Sequence, residues 1–318
     1  MIQLNEYKFF VLFACCIPVK GANRSIICDL QRNSFIYITN ESFDLLQNSN
    51  IDIRKLSTLD QIEIKQILKY LIQKEMGFIT RYPQYFLPIN LENNDYPDII
   101  KNVIIDFDEN INYNINKIVT QISELQCSAC EIRFFGCIKK TYFINILNLF
   151  DLSSIRSIHI IVKYSEWTKK DILDQICINF KRIKQIIIYS SPFNSNENID
   201  LQTSIIFAKN TINDETHCGN ISPYYFNSNL DFFKESFKVN NCLHKKIGID
   251  KYGYIKNCPS MRTHYGHINK IKLKNVIILD SFNFSEDSAD IFLDSHTKDL
   301  SLLIRSFINC GFNFNKLA

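Results

Sequence analysis

Cys242, Gly253 and Cys258 stand in the spacing C-x10-G-x4-C, within CLHKKIGIDKYGYIKNC. A short hairpin turning at Gly253 would bring the two thiolates side by side, which is what a metal ion or an iron-sulfur cluster asks of its ligands. Thiolate coordination would also let a hairpin too small to bury much apolar surface fold around its metal. The alternative is a pair of unligated thiols.

The remaining candidates for chemistry are weaker. Cys127 and Cys130, in CSAC, have the spacing of a zinc or redox pair, but they fall where a helix hands over to a strand, and buried thiols serving as small hydrophobes are the expected role. Cys15, Cys16, Cys28 and Cys177 read as core or near-core residues, and Cys137 has no cysteine near it in sequence. His264 and His267, three apart, are expected to be solvated polar residues. The eight glycines stand too far apart to assemble a Walker loop or a GxGxxG turn, and neither HExxH nor GxSxG occurs.

Composition narrows the class. A chain of 318 residues with 46% hydrophobic content can bury a large core in two or three domains. Its 36 basic and 33 acidic residues form no block of one sign, so neither nucleic acid nor an anionic membrane is an expected partner. Eleven cysteines, scattered without a disulfide framework, point to a reducing cytoplasm. LFAC at Leu12–Cys15 faintly resembles a lipoprotein cleavage box, but the apolar run before it is very short and the residues ahead of it carry no net positive charge. No stretch approaches the roughly 20 apolar residues of a membrane-spanning helix.

The elements that must position these residues follow from periodicity. FFVLFACC reads as a strand over 8–16, and two more strands follow within 26–38. Asn40 is expected to cap a helix through Leu46, and Ser57 or Thr58 a second helix ending at Gly77, before a strand or wing in FITRYPQYF. From 102 to 209 strands and helices alternate: strands 102–108, 130–136, 157–164, 185–190 and 204–208, helices 113–126, 141–150 and 168–179. Such alternation predicts a parallel sheet with crossover helices, and a partial (β/α) barrel is the expected form.

With these elements placed, the hairpin residues, together with HCGNISPYYF at His217–Phe226, NCPSM at Asn257–Met261 and YGHI at Tyr265–Ile268, resemble the SPASM-domain peptide maturases of grasp-with-spasm systems. The likeness extends from about Phe9 to about Lys274 and includes KFFVLFACCIPVKGANRSIICDLQR and IIIYSSPFN. It implies an α/β fold in four parts: an N-terminal winged-helix-like α+β peptide-recognition domain at 1–90, a partial (β/α) barrel of radical-SAM type at 98–212, a truncated SPASM-like module at 213–274, and a divergent tail at 275–318. The reading frame is expected to have been lost near Val276, because the second cysteine run of a SPASM module is absent.

The resemblance also implies a function: maturation of a ribosomally synthesised peptide, by binding its leader and presenting it to an ATP-grasp ligase. Within the SPASM-like region Cys242 and Cys258 are the metal candidates, Cys218 is a third, and Cys310 is the one cysteine left to complete an auxiliary [4Fe-4S] cluster. The radical enzymes of this kind carry C-x3-C-x2-C after the first barrel strand, whereas DENINYNIN at Asp108–Asn116 contains no cysteine, so no adenosylmethionine-binding cluster is expected. The other readings are a cluster-dependent peptide-modifying enzyme and an inactive, degenerate maturase.

Overall fold

The computed structural model describes residues 9–47, 50–55, 60–91, 99–109, 111–200, 203–215, 230–236 and 243–278. These fall into two compact units, the first holding 9–91 and 230–236, the second 99–215 and 243–278. Cys218, Cys242, Cys310 and the tail beyond Ile278 lie outside the described residues.

In the first unit, β1 (Phe9–Leu12) and β2 (Cys16–Val19) are separate strands. The expected single strand breaks at a turn, where Cys16 N donates to Phe13 O at 2.8 Å and Phe13 N donates to Met76 O at 3.0 Å. FFVLFACC is apolar throughout and has no period-2 alternation to hold it to one sheet. Its second half joins β3 (Ser25–Asp29) and β4 (Ser34–Ile38) in an antiparallel meander with β3 at the centre.

Helix α1 (Asn40–Leu46) starts at the residue expected to cap it, and the cap lies one residue earlier. Thr39 is the N-cap, with Oγ1 accepting from Ser42 N at 3.2 Å, while Asn40 accepts from Ser25 Oγ at 2.6 Å and donates to Ala22 O at 3.1 Å. Strand β5 (Asn50–Asp52) flanks β1, and α2 (Asp60–Gln73) leads to β6 (Gly77–Thr80) on its other side. Gly77 therefore opens β6 and does not end α2. A Cβ there would meet the Phe10 ring at 2.5 Å, so glycine is what lets β6 approach β1. Phe10, Ile27, Phe43, Leu46, Leu68 and Leu71 form the core of this unit.

The second unit carries a nine-stranded sheet. Its parallel strands are β7 (Asn102–Phe107), β8 (Ala129–Phe134), β9 (Ser157–Lys163) and β10 (Ile183–Tyr189), joined through α3 (Ile115–Glu124), α4 (Lys140–Leu149) and α5 (Lys170–Asn179). β11 (Ser195–Asn198) runs antiparallel to β12 (Ser204–Phe207), which continues the parallel set beside β10. On the opposite flank β13 (Lys246–Ile249) pairs parallel with β7, and β14 (Tyr254–Lys256) and β15 (Gly266–His267) follow antiparallel. The sheet is mixed and mostly parallel, with β11 and β15 as its ends and no closure into a barrel among the described residues.

A short helix α6 (Leu230–Ser236) belongs to the first unit, where Phe233 packs against Ile26 and Cys28, and α7 (Leu273–Ile278) packs in the core of the second. Alternation divides the large sheet into two faces. Val103, Ile105, Phe107, Ile132, Phe134 and Ile160 pack with the helices. Ile104, Asp106, Glu131, Arg133, Ile161 and Ile187 take the alternate positions, and so share the other face.

Candidate functional site

The hairpin expected from C-x10-G-x4-C is present. β13 and β14 pair in the register Gly248↔Lys256 and Ile249↔Ile255, and the chain turns where Gly253 N donates to Asp250 O at 2.8 Å. Asp250 Oδ1 secures the turn by accepting from Tyr252 N at 3.0 Å and Tyr254 N at 2.9 Å. Gly253 has φ +84, and a Cβ there would lie 2.8 Å from His267 Nε2. Both the left-handed backbone and the close neighbour explain the glycine.

Cys258 follows β14 in a tight turn, 7% exposed and packed with Leu243 and Met261. The turn is pinned from several sides: Lys256 Nζ donates to Pro259 O at 3.2 Å, Ser260 Oγ donates to Glu215 O at 2.7 Å, and the Pro259 ring lies over Gly248, where a Cβ would come within 2.6 Å. The companions expected for Cys258, namely Cys242 and Cys218, lie outside the described residues. Among the described residues, no set of three His, Cys, Asp or Glu ligand atoms forms around Cys258.

Beside this hairpin the second sheet face carries buried charge that the sequence reading missed. Arg133 donates Nε to Asp106 Oδ1 at 2.6 Å and Nη2 to Oδ2 at 2.8 Å, with both side chains fully buried. Glu131 Oε1 is 3.9 Å from Arg133 Nε and has no hydrogen-bond partner among the described residues. Burial pushes the Glu131 carboxyl up to about 7, against the pull of Arg133 and Lys246. Lys256 Nζ pairs with Asp250 Oδ2 at 2.9 Å, and Asn257 is buried with neither amide atom bonded among the described residues. The available signal was the charges inside NVIIDFD and CEIRFFG, since period 2 sets Glu131 and Arg133 on one face.

Cys28, Cys127, Cys130 and Cys177 behave as small hydrophobes. Cys127 and Cys130 are buried in the large core, Cys127 Sγ donating to Ala129 O at 3.3 Å, and burial pushes the Cys130 thiol well up. Cys28 and Cys177 are buried, and Cys137 is exposed. His264 is exposed with its ring 4.3 Å from that of Tyr254, and His267 Nδ1 accepts from Asn269 N at 3.2 Å.

The first unit carries an apolar groove of about 980 Å³, lined by β1, β2, α1, Phe78 of β6, residues 85–89 and Leu91. Aromatic side chains build one wall: the Phe78 ring lies 5.0 Å from Phe13 and 4.6 Å from Phe86. Tyr85 and Leu87 are about three-quarters exposed at 75% and 76%. Strand β2, which lines the groove through Cys16, Ile17 and Pro18, pairs with β3 on one side and with no strand on the other among the described residues. An apolar trough beside an unpaired strand edge can take an extended peptide, main-chain bonds supplying affinity and side-chain pockets supplying selectivity.

No protein-family model matches this chain, and no curated protein matches its sequence. Among solved structures, SuiB of Streptococcus suis is similar over 86% of this chain and 89% of that chain, with 12% identity and a TM-score of 0.24. At that score the likeness carries no argument about fold or function. No helix among the described residues is long and apolar enough to cross a membrane.

Proposed function

We propose that the protein binds the precursor of a ribosomally made peptide in the groove of its first unit and presents it to a partner ATP-grasp ligase. The observation that carries this reading is the groove lined by β2, whose second edge has no strand partner among the described residues. The residues that resemble the grasp-with-spasm maturases supply the class of peptide and the partner. On this reading the parallel sheet of the second unit descends from a partial (β/α) barrel, and the β13–β14 hairpin from a SPASM module.

Cys258, Cys242 and Cys218 are the proposed ligands of an auxiliary [4Fe-4S] site. A thiolate at Cys258 is one ligand of the four such a cluster takes, so no chemical step is assigned to a cluster. Peptide binding is the activity proposed, and catalysis of the modification is left to the partner.

The test is fluorescence anisotropy of the full chain with labelled peptides synthesised from the small open reading frames beside its gene, together with iron and sulfide analysis after anaerobic purification. Saturable binding of one of them without iron supports a presenting protein. Iron and sulfide in equal amounts, with no peptide bound, would replace that reading with a cluster enzyme.

A further inference from the structure

At the β1–β2 turn, the sulfur of Cys16 meets that of Met76, sixty residues on, and lies beside that of its chain neighbour Cys15. The turn holds Cys15 and Cys16 in fixed positions, because Cys16 N donates to Phe13 O and Leu30 N donates to Cys15 O at 2.9 Å. The same turn is tied to Met76, whose carbonyl accepts from Phe13 N. As a result Cys16 Sγ lies 3.7 Å from Met76 Sδ and points its proton at the thioether. Cys15 Sγ, Cys16 Sγ and a carboxylate oxygen of Asp29 all lie within 4.8 Å of one another, since Cys16 faces Asp29 across the β2–β3 ladder.

We propose that Cys15, Cys16 and Met76 form a binding site for a soft monovalent cation, copper(I). Two sulfur ligands bound to one metal at about 2.3 Å stand roughly 3.8 Å apart, close to the Cys16–Met76 separation. Thiolate and thioether together are the donor set that favours copper(I), whereas hard cations need oxygen. The carboxylate of Asp29 is committed elsewhere: Oδ1 accepts from Gln31 N and Arg32 N, and Oδ2 from Arg32 Nε. It therefore contributes negative charge near the cation and is not a ligand. On binding, the metal replaces the protons of the two thiols, which leave to solvent. Cys16 and Met76 are buried and Cys15 is partly exposed, so the cation enters from the Cys15 side.

The test is anaerobic titration of the full chain with copper(I) in competition with bathocuproine disulfonate, read as copper withheld from the chelator. Other thiols of the chain also take copper, so variants decide the site. The expected result is loss of one tightly held equivalent in Cys15→Ser, and at least a tenfold weakening of that equivalent in Met76→Leu, which keeps the volume and removes the sulfur. X-ray absorption of the one-equivalent complex is expected to show three sulfur neighbours. Copper retention unchanged in both variants would overturn the proposal. So would zinc(II) held here in preference to copper and lost in Asp29→Asn. Cys15 is partly exposed and Met76→Leu is conservative, so circular dichroism of both variants is expected to match the parent.

Discussion

Arg133 grips Asp106 with two parallel hydrogen bonds of 2.6 and 2.8 Å in the middle of the large sheet, while Glu131 Oε1 stands 3.9 Å from the same guanidinium with no hydrogen bond among the described residues. The pair follows from register, since Asp106 and Arg133 face one another across β7 and β8. Glu131 shares the Arg133 face two residues earlier, and its nearest guanidinium contact is 3.9 Å.

Glu131 should make stability depend on pH. Its folded value of about 7 lies above the ordinary 4.5 because burial disfavours the charged form. Protonation is thus favoured in the folded chain, and the stability linked to it is complete below about 4.5 and lost as pH rises through about 7. A shift of that size corresponds to about 3 kcal/mol as an upper bound. Glu131→Gln is expected to flatten this dependence and to be more stable than the parent at pH 8. Urea unfolding of both proteins at pH 5 and pH 8 checks it; parallel losses in the two would contradict it.

Removing one member of the buried pair should cost far more than removing both. Arg133→Met leaves the buried Asp106 carboxyl without the cation that favours its charged form, with an expected loss of about 3–5 kcal/mol. The double variant Arg133→Met/Asp106→Leu is expected to recover most of that, because a buried ion pair contributes little beyond what apolar packing gives. Urea midpoints of the three proteins at one pH read the difference, and equal losses in single and double variants would count against the pairing.

At the hairpin turn, Gly253→Ala should destabilise the second unit by about 1–3 kcal/mol, since φ +84 is left-handed and the added Cβ meets His267. The expected readout is a lower Tm with an unchanged far-ultraviolet spectrum at low temperature. No change in Tm would mean that the turn between β13 and β14 adapts.

Much of the second unit was legible in the sequence. Runs such as NVIIDF and SIHIIVK are rich in β-branched residues, bounded by loops and separated by amphipathic stretches, so strands and crossover helices could be placed within a few residues. The first unit was harder. FFVLFACC carries no alternation to announce its turn, and α1 is capped by Thr39 because Asn40 is drawn into bonds with Ser25 and Ala22. Gly253 at the hairpin turn was readable from a single glycine between strand-like segments. The groove and the sulfur cluster were not readable, because they join Cys16 to Met76 and Phe13 to Phe78, pairs about sixty residues apart that only tertiary packing brings together.

The central claim is that the groove of the first unit holds a peptide, and the most direct measurement is the affinity of a precursor peptide for the parent chain and for Tyr85→Ser/Leu87→Asp. Both side chains border the groove and are about three-quarters exposed, so their replacement should leave the fold intact. Saturable binding to the parent and at least a tenfold weaker affinity in the variant are expected, with Tm unchanged. Equal affinity in the two proteins would contradict the claim.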